Sequence, residues 1–416
     1  MKIAFYVPTW PPGDAPNGIV TYASHLVPAL RLLGHEVFLV AHLNGQGNRD
    51  PHTVDLRHFA PASTVWNRAL FKLAPDLALF GSTASAIVSA VHELITKHEI
   101  DVLEIEESFG WSSAICREKL LPVVVRLHGP WCMNGHFAND QNPLNGRRDK
   151  WEGRGIHMAH AVTAPSAAVL DAVQLHYDLN LATRHVIPNP IEAAPEADIW
   201  NADTCVPDSI LFVGRFDALK GGDLVLRAFV ELAALYPRVR LTFVGPDRGV
   251  KGAAGDTLSF ADFIRANVPE WVRPRIAYRG KMSHSDVMSL RVKHFATIVA
   301  SQHEMMPYSV LEAMSFGCPL VATAVGGIPE LIEDHRNGLL IPSQNVKAMV
   351  AACEALLQDT ALAARLGLQA WKDCYNSNRP KRIAQATVEA HQDAIDRFRV
   401  TGVSPKVFWR IKAREN

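Results

Sequence analysis

Residues 210–222 read Ile210-Leu211-Phe212-Val213-Gly214-Arg215-Phe216-Asp217-Ala218-Leu219-Lys220-Gly221-Gly222. A short apolar run of strand type ends at a glycine, a basic turn follows, and a helical pattern begins beyond Gly222. A strand that feeds a helix through a glycine-containing turn is the repeating unit of parallel α/β architecture, whose sheet is buried on both faces. The same alternation runs outward in both directions. Downstream, strands are predicted at Leu241–Val244, Ile276–Tyr278, Thr297–Ala300, Leu320–Thr323 and Leu339–Ile341, and helices at Val346–Leu357, Ala361–Tyr375 and Pro380–Arg397. Upstream, the strands are Ile3–Val7, Glu36–Ala41, Val102–Ile105, Val123–Leu127, Ala161–Ala164 and His185–Ile187, with helices Ile19–Leu33 and Ser82–Lys97 between them.

The alternation breaks once. Pro188-Asn189-Pro190-Ile191 and the proline- and alanine-rich residues after it have no apolar period, which predicts a linker near 190–207. The expected architecture is therefore α/β, with two doubly wound Rossmann-like domains, residues 1–190 and 208–378. Two such domains facing each other would set their strand ends on a common cleft. The chain from about 380 to 416 is expected to cross back to cover the first domain.

Composition narrows the functional classes. The chain has 416 residues, 42 Lys+Arg against 42 Asp+Glu, 48% hydrophobic and 20% charged residues. That is an ordinary globular composition with no global basic field to hold nucleic acid, so no nucleic-acid partner is expected. Its 6 cysteines form no C-x-x-C pair, which argues against a zinc site or disulfide framework and for a reducing cytoplasm. The opening Met1-Lys2-Ile3-Ala4-Phe5-Tyr6-Val7-Pro8 reads as a first strand rather than a leader peptide. The uncharged stretch Leu77–Val91 is shorter than the ~20 apolar residues of a membrane span.

Two segments carry candidate chemistry. In the turn Gly214–Gly222, Arg215 and Lys220 stand at a helix N-terminus, where backbone amides and the helix dipole favour an anion; a diphosphate is the best-matched ligand. An exposed basic turn is the plain alternative. Farther on, Ala300-Ser301-Gln302-His303-Glu304-Met305-Met306-Pro307-Tyr308-Ser309-Val310-Leu311-Glu312 spaces two carboxylates so that Glu304 precedes a helix and Glu312 lies one turn inside it. The amides of Tyr308 and Ser309 would point at an anion. Glu312 suits a ribose diol and Glu304 sugar hydroxyls, although solvated helix-face carboxylates would share this spacing.

The G-R-x-x-x-x-K-G turn, the Glu304/Glu312 element and Ala324-Val325-Gly326-Gly327-Ile328-Pro329-Glu330 together resemble the retaining glycosyltransferases of family 4 (group 1 glycosyl transferases, GT-B fold). Pro188-Asn189 resembles that family's inter-domain junction and Gly34-His35-Glu36-Val37 its first helix-to-strand turn. The resemblance implies a C-terminal domain that binds a nucleotide-sugar donor and an N-terminal domain that binds the acceptor, with no metal or other cofactor. Carried across by position, Gly214, Arg215 and Lys220 would hold the diphosphate, Glu312 the ribose, and Glu304 the transferred sugar with Met305 and Met306. Asn17-Gly18 matches a family Gly-Gly turn; Asn17 tolerates a left-handed backbone well enough to stand for the missing glycine. His128 matches a histidine that contacts the donor sugar.

The resemblance makes UDP the first expectation for the nucleotide and GDP the second. It implies a glycan, lipid-linked or small-molecule acceptor and net retention of configuration. A sugar-nucleotide epimerase, a phosphorylase and a non-catalytic sugar-nucleotide sensor share the architecture and stay open. Glu104, Glu106 and Glu107 end a strand where relatives often carry histidines; they could meet acceptor hydroxyls, but solvation is the expected state for an acidic strand end. Trp131, Phe137, Asn139, Asp140 and Asn142 could bind an acceptor sugar. Trp66, Leu70 and Leu73 beside Arg68 and Lys72, and the tail Lys406–Lys412, have the composition of peripheral contacts with an anionic membrane at its cytoplasmic face.

Overall fold

The structure is a computed structural model that describes residues 1–13, 17–44, 50–59, 75–135, 145–252 and 255–401. The chain divides into two compact units, Met1–Ile187 with Ile383–Asn416, and Pro188–Arg382. Each is built on its own parallel sheet.

The first unit carries β1 (Lys2–Trp10), β2 (Glu36–Leu43), β3 (Thr53–Asp55), β4 (Val102–Glu106), β5 (Val123–Arg126), β6 (Ala161–Ala164) and β7 (Arg184–Val186). Their order is β3-β2-β1-β4-β5-β6-β7. The inner strands have little side-chain exposure on either face, as a sheet covered by helices on both sides requires. Helix Gly18–Leu32 follows β1, and Asn17 caps it: its side chain accepts from Ile19 N–H at 2.9 Å. The segment from Ile383 onward belongs to this unit, and its His391 is bonded to Glu104 of β4 at 2.6 Å.

The second unit carries β8 (Val206–Val213), β9 (Arg240–Val244), a two-stranded hairpin of β10 (Val250–Lys251) and β11 (Thr257–Leu258), then β12 (Ile276–Gly280), β13 (His294–Val299), β14 (Leu320–Thr323) and β15 (Leu339–Ile341). The main sheet runs β12-β9-β8-β13-β14-β15. The order reverses between β8 and β13, whose Leu211 and Thr297 are in register. In open α/β sheets this switch point opens a crevice beyond the strand ends. Phe212, Phe216, Phe243 and Phe260 pack edge-on or tilted inside, fixing the walls below the crevice.

The expected linker near 190–207 is corrected by its packing. The stretch is strapped onto the second unit. Ala194 N–H donates to Ser315 O and Trp200 N–H to Phe316 O, while the buried Trp200 indole donates to His294 O at 2.8 Å. Its prolines suppress helix and strand, and the backbone finds partners by lying along finished elements instead. The basic amphipathic residues 66–73, the tail 406–412 and Phe137, Asn139, Asp140 and Asn142 lie outside the described residues. No helix among the described residues is long and apolar enough to cross a membrane.

Candidate functional site

The two chemical segments emerge from the two strands that flank the switch point of the second unit. Gly214 follows β8 and Ser301 follows β13. Lys220 Nζ and Glu304 Oε1 form an ion pair across 84 positions of sequence, and the buried Ser301 hydroxyl donates to the same oxygen at 2.6 Å. Arg215 is held by Asp217, Nε to Oδ2 at 2.5 Å. Each cation expected at the diphosphate is thus charge-paired within the protein.

The expectation of anion-seeking amides at the first helix is corrected. The turn is closed on itself: Lys220 N–H donates to Asp217 Oδ1 at 2.7 Å, Gly221 N–H to Ala218 O and Gly222 N–H to Asp217 O. Asp223 adds a carboxylate to the first turn of helix Gly222–Leu235. An acid at that position already complements the dipole. With those three amides engaged, the turn offers an anion the side chains of Arg215 and Lys220. Gly221 sits at φ +68, and a Cβ there would lie 2.2 Å from Ala300 O, so glycine brings the two strand ends together.

The second helix N-terminus differs. Helix Tyr308–Ser315 has no acid in its first turn and no side-chain cap on Pro307, and bonding begins with Val310 N–H on Pro307 O. The positive end of this dipole, with the Ser309 amide, is the one suited to phosphate. Tyr308 is anchored instead by its hydroxyl, which donates to Pro190 O at 3.3 Å. Met305 and Met306, expected beside the transferred sugar, turn their side chains into packing. Both are buried, Met306 within the hydrophobic core, and Met306 O accepts from Asn189 Nδ2 at 3.0 Å.

Glu304 is held from below by a motif whose role the sequence did not disclose. Gly326, at φ +54, packs so closely that a Cβ would come within 1.6 Å of Glu304 O, and Gly327 N–H donates to Met305 O. Glu312, one turn into its helix, pairs with the buried Arg291 at 2.7 Å. Asp217, Ser301 and Arg291 were missed by sequence reasoning. Only Asp217 left a signal, an acid placed to bond the amide three residues on.

In the first unit, Asn17 departs from the expected left-handed turn: its φ is −140, and the cap comes from its side chain. Gly18 opens the helix in free space, where an added Cβ would meet nothing within 4 Å. One turn later Tyr22 lies edge-on to the half-buried His128, ring centres 4.9 Å apart. Burial, and then the Arg126 charge, hold the His128 imidazole well below its ordinary range, so it stays neutral. Glu107 accepts from both turn amides, His128 N–H at 2.8 Å and Gly129 N–H at 2.7 Å.

The acidic strand end is buried rather than solvated. Glu104 accepts from Tyr22 and His391, and Glu106 from Ser108. Burial pushes Glu106 up to about 7 and Glu107 up to about 8, with neighbouring carboxylates adding to the shift. These groups organise the turn instead of presenting charge to a ligand. Trp131 is likewise engaged, its ring 4.3 Å from the Arg148 guanidinium.

Residues 16–194 match the family model described as Glycosyltransferase Family 4, and residues 207–359 the model described as Glycosyl transferases group 1. The chain is 33% identical over 155 residues to a D-inositol 3-phosphate glycosyltransferase of Mycobacterium marinum, covering 36% of this chain and 31% of that protein. A protein of the same description from Kineococcus radiotolerans is 31% identical over 216 residues, 47% of each chain. A glycogen synthase of Mycobacterium tuberculosis is 26% identical over 226 residues, 54% of this chain and 52% of that one. The match thus spans about half the length of these relatives or less.

Among solved structures, sucrose-phosphate synthase of Thermosynechococcus elongatus superposes with a TM-score of 0.71 at 20% identity, over 95% of this chain and 99% of that one. Anabaena HepE in complex with UDP superposes with a TM-score of 0.67 at 17% identity, over 94% and 100%. At those identities the likeness establishes the GT-B architecture of two Rossmann-like domains. The two family models between them account for both halves of the chain, and the protein belongs to the group 1 glycosyl transferases of family 4.

Proposed function

We propose that the protein is a retaining glycosyltransferase that moves a hexosyl unit from a nucleotide-diphosphate sugar, UDP-sugar first, to a hydroxyl of a glycan, lipid-linked or small-molecule acceptor. The observation that carries this reading is the Lys220–Glu304 pair at the switch point of the second unit, with Arg215 beside it. A cation paired to a carboxylate is held in place until a diphosphate competes for it, and the released carboxylate is then available to sugar hydroxyls. That the Anabaena HepE structure holds UDP supports a uridine nucleotide as the first donor to try.

In this reaction the bond between the anomeric carbon and the phosphate oxygen breaks, and its electron pair stays on the phosphate. Lys220, Arg215 and the N-terminus of helix Tyr308–Ser315 would stabilise that charge. The acceptor oxygen bonds to the anomeric carbon on the same face and passes its proton to the departing phosphate. Neutral His128 would hydrogen-bond a donor-sugar hydroxyl without adding charge. Because cationic side chains take the role of charge neutralisation, activity is expected to persist in EDTA; a loss restored by magnesium or manganese would contradict this.

The test is product stereochemistry. Incubation with a panel of nucleotide sugars and acceptors, followed by NMR of the anomeric proton, is expected to give the donor's own configuration. An inverted linkage overturns the mechanism, and an isomerised donor formed without acceptor identifies an epimerase instead.

A further inference from the structure

Arg291, on helix His284–Lys293, has a side chain with 0% exposure. Among the described residues its bonded partner is Glu312, Nη2 to Oε2 at 2.7 Å, while Nε and Nη1 are buried with no hydrogen bond. The nearby Cys318 thiol, pushed up to about 12 by burial, supplies no counter-charge. Enclosing a guanidinium with two donors unsatisfied costs stability, and the Arg291–Glu312 pair offsets that cost only in part. The contacts of this arginine point to Glu312 rather than to the core around it.

Its partner suggests what does. Glu312 keeps 14% of its side chain exposed, and only Oε2 is tied down. Its other oxygen, Oε1, faces His284 Nδ1 at 3.7 Å, beyond hydrogen-bond reach. One carboxylate oxygen is therefore pinned from the core and the other is open. A glutamate at a partly exposed site otherwise samples several rotamers, and fixing one removes an entropy cost from any ligand that uses it.

We infer that Arg291 is a positioning residue that holds the Glu312 carboxylate so that Oε1 accepts from the ribose diol of the nucleotide. This rests on the reading of Glu312 as the ribose contact. The effect belongs to donor recognition and acts through Glu312, since Arg291 itself reaches no solvent.

The experiment compares binding of UDP with that of its dideoxyribose counterpart, and of GDP with its own, by calorimetry on the full chain. Wild type is expected to prefer the diol by about tenfold to a hundredfold, as for hydrogen bonds to a charged acceptor. Arg291→Met should lower the melting temperature, because Glu312 loses its counter-charge, and bring the preference close to unity below that temperature; Arg291→Lys should fall between and serves if the methionine variant does not fold. Glu312→Gln separates the two readings. If it abolishes the preference while both Arg291 variants retain it, the inference fails alone. If Glu312→Gln also retains it, or wild type shows no preference, the ribose reading fails and the inference with it.

Discussion

Lys220 and Glu304 neutralise one another, so each is held in a form that a competing ligand can use. Lys220→Ala should lower kcat by about a hundredfold or more, the range for removing one group that stabilises developing charge. Steady-state rates with the best donor of the panel check this, and tight donor binding with no turnover in wild type would instead favour a sensor. A second prediction concerns Glu107. The unfolded chain ionises this carboxyl near its ordinary 4.5, whereas the native protein keeps the proton up to about 8. The native state then binds more protons across that window, so this group's contribution to stability is full below 4.5 and is lost as pH rises through about 8. Thermal melts between about pH 5 and 9 should show this loss, and Glu107→Gln should make it shallower, with Glu106 supplying the remainder; a variant curve parallel to wild type would contradict the assignment.

At the scale of elements, Gly326 is the most exacting contact, because any side chain there strikes the backbone of Glu304. Gly326→Ala should displace the Glu304 loop and reduce donor affinity at least tenfold, by analogy with other sub-ångström disturbances of a preorganised site. Calorimetric titration with UDP and GDP reads the effect, and an unchanged affinity would show that the loop does not position the donor. Most strands of both sheets were legible, and so was their alternation with helices, because apolar period and glycine turns are local signals. The strap at 190–207 was not, since its hydrogen bonds to Ser315 and Phe316 are made far away in sequence. Likewise Arg215 and Lys220 stood out by residue type, and Asp217 left a local signal three residues before the amide it binds, but nothing local revealed that a core arginine backs Glu312. The short β3 and the β10–β11 hairpin escaped notice because, unlike the equally short Leu339–Ile341, they contain no apolar run.

For the whole molecule, one parallel sheet with a reversed strand order occurs in each unit, and in the second the chemical residues gather where that order turns. Evolution of a new donor or acceptor preference can therefore proceed in loops while the sheets stay fixed. The account depends on a diphosphate occupying the crevice between the ends of β8 and β13. A crystal structure of the protein soaked with UDP or GDP tests that most directly. The diphosphate is predicted against Arg215, Lys220 and the N-terminus of helix Tyr308–Ser315, with Lys220 drawn off Glu304 and the ribose on Glu312. A nucleotide bound elsewhere, with the Lys220–Glu304 pair intact, would contradict it.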